Sequence, residues 1–105
     1  MDDVMEQLDQ ETAWMLRVVD GDDHAFQLIM ERFQRPILSY IYRWVRDPAE
    51  AEQLAQEVFL RVYRAKNTYQ PGWRFSSWLY TIATNICLNE LRSGKYQYEL
   101  DPAYL

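Results

Sequence analysis

Three observations predict an all-α protein. Apolar residues recur at helical spacing along every long segment of the 105-residue chain. Three Gly and four Pro are too few to punctuate a turn-rich β fold. Helix-capping signals stand where the periodic stretches begin, most sharply at Asp47-Pro48-Ala49-Glu50. With 49% apolar and 15% aromatic residues the chain can bury one core, and its length leaves no room for a second.

Taken in order, Trp14, Leu16, Val18 and Val19 form a short apolar block stopped by Asp20-Gly21, which places a first helix over about 10–20. Asp22 or Asp23 caps the next, where Phe26, Ile29, Met30 and Phe33 recur at helical spacing. Pro36 either opens a new helix or kinks a continuous one. Beyond it Ile37, Tyr40, Ile41, Trp44 and Val45 make an apolar stripe, with Arg35, Arg43 and Arg46 largely opposite. Asp47 as N-cap, Pro48 at the first helical position and Glu50 in the first turn satisfy free amides and suit the helix dipole. Leu54, Val58, Leu60 (or Ala55), Val62 and Tyr63 are the expected buried stripe of that helix. Glu50, Glu52, Gln53, Gln56 and Glu57 line its polar face. Tyr69-Gln70-Pro71-Gly72 reads as a turn, after which a last helix runs from about Arg74 to Arg92 with Gly94 as its left-handed cap. Ile82, Ile86 and Leu79 are its expected core face. The predicted organisation is an acidic extension at 1–10, a helical domain at 11–95, and the start of a linker or tail at 96–105.

The net charge of −5 conceals an asymmetry. Residues 1–24 carry −7, residues 25–95 carry +4 and the last ten carry −2. A mildly basic body permits local nucleic-acid contact without a strong electrostatic grip. Cys87 and His24 are each the sole residue of their type, which excludes an internal disulfide and a Cys-based metal site, and their distance in the sequence argues against a Cys-His nucleophile. No glycine-rich phosphate loop is present, and the paired carboxylates have no His or second polar cluster beside them. The expectation is a non-enzyme that uses no cofactor and no metal. No signal peptide or membrane-length apolar run is seen, which makes the cytoplasm the expected compartment.

Three constellations admit a functional reading beside a plain one. The acidic face beginning at Asp47 suits a basic partner helix, or is solvated charge at a helix start. Tyr69, Trp73, Phe75, Trp78 and Tyr80 cannot all share one helix face, so some suit stacking of unpaired bases near Arg74; equally, they can pack over the loop. Asn85, two turns beyond Trp78, can read a base edge or bond the preceding turn.

Together these pieces resemble the N-terminal region-2 domain of bacterial extracytoplasmic-function (ECF) sigma factors of the sigma-70 family. The resemblance covers about residues 11–95. Its opening segment is matched by Asp20-Gly21-Asp22, Ala25-Phe26, Phe33 and Pro36, and its polymerase-binding segment by Asp47 and the run from Ala51 to Ala65. Its promoter-melting segment is matched by Phe75 through Asn85 and by Asn89-Glu90-Leu91-Arg92. The resemblance implies a compact three- to four-helix bundle that binds core RNA polymerase, on the coiled coil of the largest subunit, and recognises and melts the promoter minus-ten element. Polymerase contact would fall to Asp47, Glu50, Glu52, Gln53, Gln56 and Glu57. A flipped base of the non-template strand would enter the loop formed by Tyr69, Gln70, Pro71, Gly72, Trp73 and Arg74. Ser77, Trp78, Thr81, Thr84, Asn85, Asn89 and Arg92 would line the DNA along the last helix. An anti-sigma factor is a further implied partner.

The chain departs from the family pattern at several points. Tyr69-Gln70-Pro71 stands where many members have Phe-Arg-Gly, Gln53 where Asp is frequent, and Thr84 where Arg often precedes the Asn. Few bases follow Arg92, and the family's second, minus-thirty-five-reading domain has no counterpart here: the chain is either a fragment ending in the linker or a one-domain derivative. The competing expectations are a sigma-like decoy that binds polymerase or an anti-sigma factor without reading DNA, and a generic helical adaptor. The adaptor leaves the third motif unexplained.

Overall fold

The computed structural model describes residues 9–93. Four α-helices occur in the order α1 (Gln10–Val19), α2 (Asp23–Val45), α3 (Pro48–Arg64) and α4 (Phe75–Arg92), with one 3-10 turn (Lys66–Thr68) after α3. Among the described residues there is no strand, as the helical periodicity predicts. The expected cap at Gly94 lies outside these residues.

Local chemistry sets the boundaries. Asp9 caps α1 by accepting the Thr12 amide. At the far end Gly21 adopts φ +98°, its amide bonding Val18 and that of Asp22 bonding Arg17, the double closure that a left-handed glycine permits. Asp22 then caps α2 by accepting the amides of His24 and Ala25. Its second oxygen takes Arg17 at 2.7 Å, and that bond, with the amide bonds, holds the carboxyl below its ordinary value.

α2 runs unbroken through Pro36, so the continuous-helix alternative holds. Pro36 is exposed, while Ala25, Ile29, Ile37, Ile41 and Val45 are buried on both sides of it. Burial of that face offsets the backbone bond that proline cannot make. Arg46 closes the helix in the left-handed region (φ 59°), turning the chain directly into the Asp47 cap of α3. A two-residue connection leaves α2 and α3 as packed neighbours.

The core face of α3 is Ala51, Leu54, Ala55, Val58, Phe59 and Val62. Of the two alternatives, Ala55 is the buried residue and Leu60 is 45% exposed, while Phe59 joins the core. At about 100° per residue, Leu60 lies roughly 200° round the helix from Val58, off the stripe. In α4 the core residues are Phe75, Leu79, Ala83, Ile86 and Cys87, whereas Ile82 is only partly buried at the edge. Burial pushes the Cys87 thiol up to about 12, with the Glu90 carboxylate adding to it.

Candidate protein-docking and nucleic-acid surfaces

The acidic half of α3 faces outward. Glu52, Gln53, Gln56 and Glu57 are exposed and Glu50 is half-buried. Asp47 is already engaged, its carboxylate accepting the amides of Ala49 and Glu50 at 3.0 and 3.4 Å. Glu57 pairs with Arg61 at 3.7 Å, an exposed one-turn pair that contributes little to stability. Beside these groups lies an open groove of about 790 Å³ between α2 and α3. Phe26, Met30, Leu38, Phe59 and Leu60 supply its apolar floor, with Asp23, Glu52 and Gln56 on the rim. A smaller hollow of about 440 Å³, lined by Tyr42 and Pro48, shares Leu38 and Glu52 with it. Sequence reasoning found the acids but missed the groove. Its signal was Leu60 standing off the core stripe on the same helix as the acids.

Tyr63 fixes one end of the groove. Its hydroxyl donates to Asp23 at 3.0 Å, and its ring meets Phe26 edge-on and Lys66 at 4.1 Å from the ring centroid.

The loop before α4 mixes buried and exposed groups. Tyr69 is 5% exposed and Phe75 fully buried, whereas Trp73 is 47% exposed. The rings of Trp73, Phe75 and Trp78 all pack against Tyr69, so most of this aromatic group covers the helix start. Trp73 is left facing outward and Trp78 is half-buried. Tyr69 serves the loop from beneath: its hydroxyl donates to the Trp73 carbonyl. Gln70, Pro71, Gly72 and Arg74 are all exposed. The Arg74 guanidinium lies 3.8 Å from Asp9. Burial raises the Asp9 carboxyl, but the Thr12 bonds and the Arg74 charge outweigh it and hold the group below its ordinary value.

Along α4 the predicted contact residues separate into two sets. Ser77, Thr81, Asn85, Asn89 and Arg92 are exposed and form one stripe about 22 Å long. The Asn85 side chain makes no hydrogen bond among the described residues, so the reading in which it bonds the preceding turn does not describe it. Thr81 spends its hydroxyl proton on the Ser77 carbonyl. Thr84 lies off the stripe, half-buried against α2, where its hydroxyl bonds the Tyr80 carbonyl at 2.8 Å and the Tyr40 hydroxyl at 2.7 Å. Tyr80 packs edge-on against Tyr40 and is likewise turned toward α2.

Residues 29–96 match the Sigma-70 region 2 family. The chain is 40% identical over 83 residues to the RNA polymerase sigma-H factor of Pseudomonas aeruginosa, a match over 79% of this chain and 43% of that protein. It is 38% identical over 85 residues to the ECF RNA polymerase sigma factor SigW of Bacillus subtilis, over 81% of this chain and 46% of that one. The chain thus spans about half the length of the curated relatives it matches. A solved structure of an engineered region 2 of sigmaE in complex with GTAAAA superposes with a TM-score of 0.75 at 35% identity, over 90% of this chain and 98% of that one. On the family match over residues 29–96, the identity to these relatives and this superposition, the chain belongs to the Sigma-70 region 2 family.

Proposed function

We propose that this domain serves transcription initiation in the manner of an ECF sigma factor, docking on core RNA polymerase with α2–α3 and reading the single-stranded minus-ten element with the Trp73 loop and α4. The observation that carries the reading is the exposed stripe from Ser77 to Arg92, which ends beside the exposed Trp73 and Arg74. A helix face with Asn85 at its centre supplies amide donors and acceptors for base edges. An outward Trp ring supplies a stacking platform worth about 1–3 kcal/mol per base, against an unpairing cost of a few kcal/mol. The relative solved with GTAAAA supports the same strand as ligand.

The apolar groove rimmed by Asp23, Glu52 and Gln56 suits a partner helix with an apolar stripe flanked by Lys or Arg, which fits the polymerase coiled coil. Stripe and loop together hold two Arg, Arg74 and Arg92, so DNA affinity on its own is weak and polymerase supplies most of the hold. The work takes place where polymerase and promoter are, inside the cell. An anti-sigma factor would act by covering either surface.

The test is fluorescence anisotropy of the domain with a single-stranded library built on GTAAAA, with and without the coiled-coil fragment. Sequence-selective binding that the fragment strengthens is the expected result. Coiled-coil binding with no selectivity among DNA strands would overturn the promoter-reading half and leave a decoy.

A further inference from the structure

Thr12 is the one polar residue in the core among the described residues, at 2% exposure, and its role was not visible in the sequence. Its hydroxyl accepts the Phe75 amide at 2.9 Å across 63 residues of chain. α4 needs this bond, because its own cap residue, Arg74, offers no side-chain acceptor to the first turn. The Thr12 amide in turn donates to one oxygen of Asp9 at 2.7 Å, and the other oxygen of Asp9 lies 3.8 Å from Arg74. Two bonds therefore bracket the end of the proposed base-capture loop: Tyr69 holds the Trp73 carbonyl and Thr12 holds the Phe75 amide. Between them stands Arg74, 68% exposed on its side chain and, among the described residues, paired with Asp9.

We propose that the first turn of α1 belongs to the nucleic-acid site, with Thr12 as a positioning residue for the Trp73–Phe75 junction and Asp9 as the carboxylate that a nucleic-acid phosphate displaces from Arg74. The inference rests on the reading of α4 and its loop as a single-strand surface. Thr12 touches no base. It acts by fixing the backbone on which Trp73 and Arg74 are mounted, and a loop fixed before binding loses less freedom when the base arrives. Asp9 acts with the opposite sign, because it orients Arg74 but repels the incoming phosphate.

The two residues therefore predict opposite changes, read on the full chain with single-stranded GTAAAA and, separately, with the polymerase coiled-coil fragment. Thr12→Val keeps the shape but leaves the buried Phe75 amide without its acceptor, and GTAAAA affinity should fall about tenfold. Thr12→Ser restores the acceptor and should bind within about twofold of the parent chain. Coiled-coil affinity should be unchanged in both. Asp9→Asn retains a good helix cap, and should tighten GTAAAA binding by about two- to fivefold with a steeper salt dependence. Thr12→Val binding as the parent does, Thr12→Val and Thr12→Ser falling equally, or loss of both ligands in parallel would each overturn the proposal. If Thr12→Val does not fold, Asp9→Asn decides alone, and unchanged affinity with an unchanged salt slope overturns it. A parent chain that docks the coiled coil yet does not bind GTAAAA would remove the nucleic-acid reading itself, and this proposal with it.

Discussion

Replacing Asn85 with Ala should move stability and binding in opposite directions. Asn85 is exposed in the interior of α4, and its amide makes no hydrogen bond among the described residues. The substitution therefore breaks no contact and exchanges a poor helix former for the best, a gain of about 0.5 kcal/mol. For a domain of this size that is an upward shift of about 2–4 °C in Tm. On the binding side, an amide paired to a base edge contributes about 1–3 kcal/mol of discrimination. Affinity for GTAAAA should thus drop about tenfold, and selectivity should relax at one base position. Thermal unfolding followed by circular dichroism gives the first quantity, and anisotropy titrations against single-base variants of the hexanucleotide give the second. Raised Tm with affinity and selectivity both unchanged would show that Asn85 reads nothing. A lowered Tm would refute the claim that its side chain is unengaged.

Other perturbations address the remaining surfaces. Gln56→Ala with Glu57→Ala should weaken coiled-coil binding while stability changes by less than about 0.5 kcal/mol, since both residues are exposed; unchanged coiled-coil affinity would count against the docking face. Leu60→Asp places a charge on the groove floor at a site already 45% exposed, so coiled-coil affinity should fall about tenfold with the fold retained, and a large loss of stability would instead mean that Leu60 serves the core. Salt titration of GTAAAA binding should give a log–log slope of about −1 to −2, the release expected when two Arg meet a single strand, and a slope far steeper would place more cations on the path. Cys87 gives an alkaline signature, because its ordinary value is 9.0 and burial pushes it up to about 12 in the fold. Below about pH 9 both states keep the proton; above it the unfolded chain ionises first, so stability falls by about 1.4 kcal/mol per unit toward pH 12. The difference in unfolding free energy between the parent chain and Cys87→Ala, followed by urea titration from pH 8 to 11, isolates this effect from the tyrosines. A flat difference would disprove it.

Much of the architecture is set by signals only a few residues long. Asp47 with Pro48, and Asp20-Gly21 with Asp22, define helix ends through backbone bonds spanning five residues or fewer, so the sequence alone locates them. The stripe of Ser77, Thr81, Asn85, Asn89 and Arg92 comes instead from the family resemblance, which also includes Trp78 and Thr84; packing leaves the first five exposed and half-buries the other two. What period and composition leave open is which face finds a partner and at what angle the helices cross. Tyr69 and Trp73 are both amphipathic rings in one loop, yet Phe75 and Trp78 of α4 cover the first while the second stays 47% exposed. Thr84 neighbours Asn85, but α2 brings Tyr40 to its hydroxyl and takes it off the stripe. Thr12 carries no local signal, since the amide it caps is 63 residues away. The sequence by itself determined the helices, the caps at Asp22 and Asp47, and the acidic face of α3. Only tertiary packing decided which aromatic ring stays exposed, where the α2–α3 groove opens and what holds the end of the loop, because those depend on contacts between segments distant in the chain.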